Sequence, residues 1–465
     1  MSACGSRGLP ETPPVSVARG FDNARNWEAQ GGAPALALAA LVAPRRYSRL
    51  CLMVTLNPIP RALVPVGSEA AQALCGPNYD EFQTDREIFD LLQRQPDSVL
   101  RVTMPHAAAS SPEEMLVEGS REALLAAGCR MAEMCAGLLT RELRDLMFLY
   151  EIVDGDRPGV RQIGLGGLAP AADILTDETP DGTIVRNEGV RPKKARGRAE
   201  LIQATRSIIG AVNNAVEDAG GALAARLEAA ADDRAADYRA VAEDGCCHKI
   251  WLLPDSGERS ELVAALRAEP FAYVADGNHR SAAAAMLGLE GFLAVVFPAA
   301  SMGLAPYNRL IGGEARAPAN WRAVLAPTFH VEDAPAGTDY QPVVPHSIGL
   351  YSGDGWLRLT PRPGTYDASN AAEAIDAAIV QRNVFERVFG ITDPRDERLT
   401  FVGGNRDARY LRDRVDSGEQ AFAVTLPPVT MEQFLEVCRQ RRMMPPKSTW
   451  FSPKIRSGLV MALLD

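Results

Sequence analysis

From residue 53 onward, short apolar runs alternate with segments whose apolar residues recur at helical spacing, the pattern of a mixed α/β chain. Strands are expected at 62–66, 99–104, 146–153, 160–168, 248–253, 271–275 and 292–297. Helices are expected at 68–74, around 85–94, from 111 to 135, over 200–231, at 260–268 and from Ser281 onward. The turn at 155–159 makes 146–153 and 160–168 a hairpin. Near residue 318 a new unit begins. Its strands are expected at 328–332, 347–352, 356–360 and 420–426, and its helices at 371–389, 407–416 and 431–439. The pattern divides the chain into a larger unit over 53–316, a smaller α+β unit over 317–440, and a polar, proline-stiffened C-terminal segment over 441–465. Residues 1–52 differ in texture, mixing Gly, Pro and Ala with scattered Arg. They read as a disordered leader or a mis-assigned start, with the folded part beginning near Met53 and a transit peptide as the alternative.

One stretch organises the chemistry. In FAYVADGNHRSAAAAMLGLEGFLAVVF (271–297) a strand runs into the polar turn Asp276, Gly277, Asn278, His279, Arg280, and Ser281 opens an Ala-rich segment. A helix N-terminus offers free backbone N–H groups and the positive end of the helix dipole, so this turn predicts an anion site. Arg280 adds a fixed cation and His279 a titratable group. A structural strand-turn-helix with a buried histidine is the alternative. A second feature is a run of five cations, Arg191, Lys193, Lys194, Arg196 and Arg198, preceded by a single carboxylate, Glu188. Such a run is ordinarily a solvated helix face.

Composition narrows the function. A formal net charge of -10 argues against a nucleic-acid partner for the whole chain but permits local basic pockets. The apolar run at 33–42 is too short to span a bilayer, so no membrane role is expected. Eight scattered cysteines without a CxxC pair indicate free thiols in a reducing compartment, hence a cytoplasmic location. None of the five histidines is three or four residues from another, which disfavours a histidine-based metal site.

Six stretches together resemble one family, known as DUF1015 and related to the free serine kinases of the ParB/sulfiredoxin-like fold. They are VADGNHRSAA (274–283), IVRNEGVRPKKARGR (184–198), HKIW (248–251), LAPYNRLI (304–311), GITDPRDERLTFVGGNR (390–406) and MPPKSTWFSPKIRSGL (444–459). The resemblance implies a ParB/sulfiredoxin-like nucleotide-binding domain over 53–316. In the kinase relatives the turn reads Asp-Gly-His-His-Arg and binds nucleotide phosphates. Asp276, Gly277, His279 and Arg280 match it, and Asn278 departs from it. Glu188 matches a carboxylate that follows a His in the relatives, where this chain has Asn187. Pro446, Lys447, Ser448 and Thr449 match a Pro-Lys-Ser/Thr-Thr element.

The resemblance implies phosphoryl transfer from a nucleotide, ATP or ADP, to a hydroxylated metabolite, with free L-serine the leading acceptor. Glu188 would accept the hydroxyl proton, with His279 a second catalytic candidate. Arg280, Lys447 and the backbone amides at Ser281 and Ala282 would hold phosphate, and Arg309 is a further candidate. Magnesium would bridge the phosphates with Asp276 as a possible ligand. Sulfiredoxin chemistry is excluded at this turn, because Asn278 stands where a nucleophilic thiol would be. A nucleotide-binding regulator without turnover and a ParB-like CTP-dependent DNA clamp are the competing functions.

Overall fold

A computed structural model describes residues 53–312, 318–335 and 337–465; the leader expected over 1–52 lies outside the described residues. The fold is mixed α/β. A large twisted sheet carries, in order, Ile184–Val185, Ala272–Asp276, Val212–Val216, Gly291–Pro298, Gln162–Pro170, Thr140–Val153, Ile59–Pro65, Met461–Leu463 and Ser207–Ile208. Cys247–Leu253 and Tyr238–Val241 branch from the long strand Thr140–Val153. That strand serves two neighbourhoods. Its first half pairs with Ile59–Pro65, and its second half with Gln162–Pro170 and Cys247–Leu253. The expected hairpin is therefore present, its first strand longer than the pattern indicated and its second shifted by two residues.

Strands such as Gly291–Pro298 are buried along their whole length, because apolar clusters pack on both faces of the sheet. A second, six-stranded antiparallel sheet holds Phe329–Asp333, Trp356–Pro361, Ile348–Tyr351, Gln420–Thr425, Asn308–Gly312 and Leu399–Val402. It takes in Asn308–Gly312, ahead of the boundary expected at 317. The C-terminal segment returns to the large sheet. Trp450–Phe451 pairs with Leu304–Ala305, and Met461–Leu463 inserts between Ile59–Pro65 and Ser207–Ile208. No helix among the described residues is long and apolar enough to cross a membrane.

Four expected elements differ. The helix expected from 111 to 135 begins only at Arg121, after a separate 3-10 turn at Pro112–Glu114, because Ser120 caps it by accepting from the Ala123 amide. Residues 99–104 form a helical turn, Leu100–Thr103, rather than a strand. A short apolar run has no decisive period, and here Arg130 holds the turn by donating to the carbonyls of Arg101 and Pro105 at 3.1 and 3.0 Å. The continuous helix expected over 200–231 is broken. The helix Pro192–Thr205 stops at Arg206, whose φ is 48°. The buried strand Val212–Val216 follows, and a new helix, Ala222–Asp232, begins. The Asp218 carboxylate starts that helix by accepting from the amides of Leu223 and Ala224. The helix expected over 371–389 begins only at Asp376 and runs through a wider π segment, Gln381–Glu386.

Candidate functional site

The strand Ala272–Asp276 lies inside the large sheet beside Val212–Val216, and the helix Asn278–Met286 leaves from its end. Gly277 makes the junction at φ 108°, a conformation that disfavours any side chain. A Cβ there would lie 2.9 Å from Arg280 Nε and 3.2 Å from Val212 Cα. Gly277→Ala is therefore expected to cost about 1–3 kcal/mol of stability, read as a lower urea midpoint. An unchanged midpoint would show that the turn tolerates a side chain.

The turn's charges are mostly satisfied within the protein. Arg280 donates from Nη2 to Asp276 Oδ2 at 3.2 Å and from Nη1 to Asn78 Oδ1 at 3.0 Å. Lys454 donates to the same Asp276 oxygen at 3.3 Å and to Asp80 at 3.1 Å. Lys447 stands 3.7 Å from Asp80. Burial pushes the Asp80 carboxyl up, but Lys454 and Lys447 overcome it and hold the group below the usual carboxylate range.

Glu188 reaches the turn from the end of the strand Ile184–Val185. The amide of Met444 donates to the Asn187 carbonyl at 2.8 Å, so this stretch and the C-terminal segment run side by side. Glu188, the turn at Asp276–Arg280, Lys447 and Thr449 then line one cavity, although they come from three distant parts of the chain. Burial raises the Glu188 carboxyl above its ordinary value; Lys447 opposes this and Asp276 adds to it. A carboxylate tuned upward beside cations and a helix N-terminus can accept a proton next to a bound anion.

Several candidates occupy other roles. The Ser281 hydroxyl donates to the Asn278 carbonyl at 3.0 Å inside the helix, and that of Ser448 donates to the Pro445 carbonyl at 2.7 Å. The amides of Arg280 and Ser281 donate to the Gly277 carbonyl, which leaves Asn278 and His279 as free backbone donors at this helix start. Arg309 is buried and holds the loop below Lys447, donating to the Lys447 carbonyl at 2.9 Å. Burial lowers its guanidinium to about 10. His279 lines the cavity, but its Nε2 accepts from the Arg191 amide at 3.1 Å. Burial, with Lys447, Lys194, Arg191 and Arg198 nearby, pushes it down to about 4, so it is a neutral acceptor at pH 7 rather than an acid. Asn278 is buried and donates to Asn187 Oδ1 at 3.3 Å.

Asp276 Oδ2 is shared by Arg280 and Lys454, which leaves its Oδ1 as the one oxygen that could ligate magnesium. No cluster of three metal-ligating side chains occurs among the described residues. The sequence reading missed Tyr79, Asp80, Tyr307 and Lys454, all of which line the cavity. Lys454 sits in the C-terminal stretch already singled out, and Tyr307 lies in LAPYNRLI. Tyr79 and Asp80 carried only a turn signal.

Solved structures with similarity to the chain include a free serine kinase in complex with AMP, 12% identical, covering 58% of this chain and 83% of that one at a TM-score of 0.33. Another is SbnI with a C-terminal truncation from Staphylococcus aureus, 12% identical, covering 62% and 84% at 0.34. A conserved hypothetical protein from Pyrococcus furiosus is 11% identical, covering 59% and 89% at 0.31. These TM-scores are too low to transfer structural detail or activity. No curated protein matches the chain. The family model DUF1015, described as a protein of unknown function, matches residues 59–382. That match takes in more than half of the chain, and the chain belongs to the DUF1015 family.

Proposed function

We propose that the protein is a small-molecule kinase that transfers a phosphoryl group from a nucleotide to a hydroxylated metabolite. One observation carries the reading: Glu188, the Asp276–Arg280 turn and Lys447 line one cavity. Phosphoryl transfer asks a protein mainly to position reactants and screen charge. The acceptor oxygen attacks the terminal phosphorus, the bond to the nucleotide's bridging oxygen breaks, and the hydroxyl proton passes to Glu188. Lys447, Arg280 and the free amides at the helix start hold phosphate oxygens. His279 fixes the turn against the chain at Arg191, and Arg309 positions Lys447. Free L-serine is the leading acceptor, on the resemblance of the Glu188, turn and Lys447 elements to the serine kinases; ATP or ADP is the donor on the same ground.

The test is direct. The purified protein is incubated with ATP, ADP or CTP, with and without magnesium, and with a panel of hydroxylated metabolites including L-serine. A phosphorylated product forming in step with nucleotide consumption is expected. Nucleotide binding without product across the panel would overturn the kinase reading in favour of a regulator.

A further inference from the structure

The cation run at 191–198 forms the start of the helix Pro192–Thr205 and is not simply a solvated face. Lys194 and Arg198 are spaced i, i+4 on one side of the helix Pro192–Thr205, and Arg191 is the residue that precedes its first turn. That side faces the site. The Arg198 guanidinium lies 4.2 Å from the centre of the Tyr79 ring, and the Lys194 ammonium 5.3 Å from it. Tyr79 itself lines the cavity that holds Glu188 and the turn. The Arg191 amide is bonded to His279, so the N-terminus of this 14-residue helix abuts that of the nine-residue helix Asn278–Met286. Two positive dipole ends therefore meet at the same place. The run also opens into a groove of about 640 Å³ lined by Glu118, Lys193, Lys194, Arg196 and Arg198, which shares Tyr79 with the cavity.

The decisive contrast is in partners. Arg280, Lys447 and Lys454 each have a carboxylate oxygen within 4.0 Å. Among the described residues no carboxylate comes that close to Arg191, Lys194 or Arg198. Burial and the neighbouring cations push Lys194 down against Glu118, and burial with Arg280 pushes Arg198 down against Tyr79, Glu118 and Asp80. Mutual repulsion of unpaired cations in a chain of net charge -10 is unfavourable unless an anion relieves it. The cations without a carboxylate in contact thus sit on the helix beside the turn and add to Arg280 and Lys447.

We propose that Arg191, Lys194 and Arg198 form an oxyanion subsite that takes a phosphate or carboxylate group of a bound substrate. The subsite rests on the nucleotide-site reading only for the source of that group, which is either the far end of the donor's polyphosphate or an acid group on the acceptor.

Calorimetric titration of the full chain with tripolyphosphate, ATP and AMP at about 0.15 M salt tests it. Lys194→Gln/Arg198→Gln keeps the side-chain stems packed; Arg226→Gln/Arg267→Gln removes the same charge at exposed positions outside the groove. Tripolyphosphate is expected to bind the wild type and to weaken at least ~10-fold in the first pair and less than ~3-fold in the second, since a nonspecific charge effect would move both alike. ATP weakening in parallel while AMP holds assigns the subsite to the donor chain; ATP unchanged assigns it to the acceptor. No tripolyphosphate binding by the wild type, or equal changes in the two pairs, overturns the subsite. If ATP and AMP fail to bind while tripolyphosphate behaves as expected, the nucleotide reading falls and the subsite stands.

Discussion

Glu188→Gln is expected to lower phosphoryl-transfer turnover at least ~10²-fold while changing nucleotide affinity less than ~3-fold. Gln has nearly the same shape and can still accept a hydrogen bond, so the contact with the Lys447 backbone survives. It cannot take up the acceptor's proton. The pH dependence separates this role from a merely structural one. Burial raises the Glu188 carboxyl above the usual glutamate value of about 4.3. A base must be ionised to act, so the wild-type rate is expected to fall as pH drops through that raised value. The acid limb should sit higher than for an exposed carboxylate and should vanish from the residual activity of the variant. Near-normal turnover in Glu188→Gln, or an acid limb that survives the substitution, rejects Glu188 as the base.

His279 bears on the same profile. It is neutral at pH 7 because burial and four nearby cations push it down to about 4. Its titration therefore falls on the acid side, and no limb is expected near the ordinary histidine value of about 6.5. A limb that persists near 6.5 would mean that His279 is charged in the working enzyme and acts as an acid after all.

The strand-turn-helix around Gly277 was legible because its signals agree: an apolar run, a glycine at the junction and an alanine-rich helix. Glu188 and Lys447 were reached through resemblance, and only the fold could place them against the turn. The hidden strand Val212–Val216 shows why pattern alone failed elsewhere. Its sequence is Val-Asn-Asn-Ala-Val, and the adjacent asparagines at 213 and 214 are both buried, which breaks the period-two alternation that marks a strand. Tyr79 and Asp80 illustrate a second limit. Their short segment, Tyr79–Glu81, is a single 3-10 turn with no period to read, and it acquires meaning only by packing under Lys447 and Lys454. The pair Asn187–Asn278 shows a third. Each asparagine alone was a departure from the pattern of the resemblance, and the fold brings the two into hydrogen-bond contact. Two histidines facing each other there would compete for one proton among several cations, whereas two amides present a donor to an acceptor without charge.

Arg456→Met is expected to cost about 3–5 kcal/mol of stability at pH 8, read from urea unfolding. Arg456 is buried in the returning C-terminal segment. Its Nη1 donates to both oxygens of Glu81, at 2.7 and 2.6 Å, and its Nη2 pairs with Asp244. Its amide donates to the Tyr150 hydroxyl at 2.8 Å, which is bonded in turn to the buried His248. Burial already pushes the Glu81 carboxyl up, and Arg456 is the main group opposing it. Met fills much of the volume but leaves Glu81 as an unpaired charge, so its folded-state pKa rises further. A group raised in the folded state favours folding when protonated, and that contribution is lost as pH rises through the raised value. The deficit of the variant against wild type should therefore be small near pH 4 and grow towards pH 8. A deficit independent of pH would mean that the lost packing, not the stranded carboxylate, sets the cost. The effect should also reach the site. Lys454 lies in the same segment and holds both Asp80 and Asp276, so a loosened segment frees two carboxylates to repel an incoming anion. Nucleotide affinity in Arg456→Met is expected to fall several-fold under conditions where the variant is still folded, and unchanged affinity would show that Lys454 keeps its place without the buried ion pair behind it.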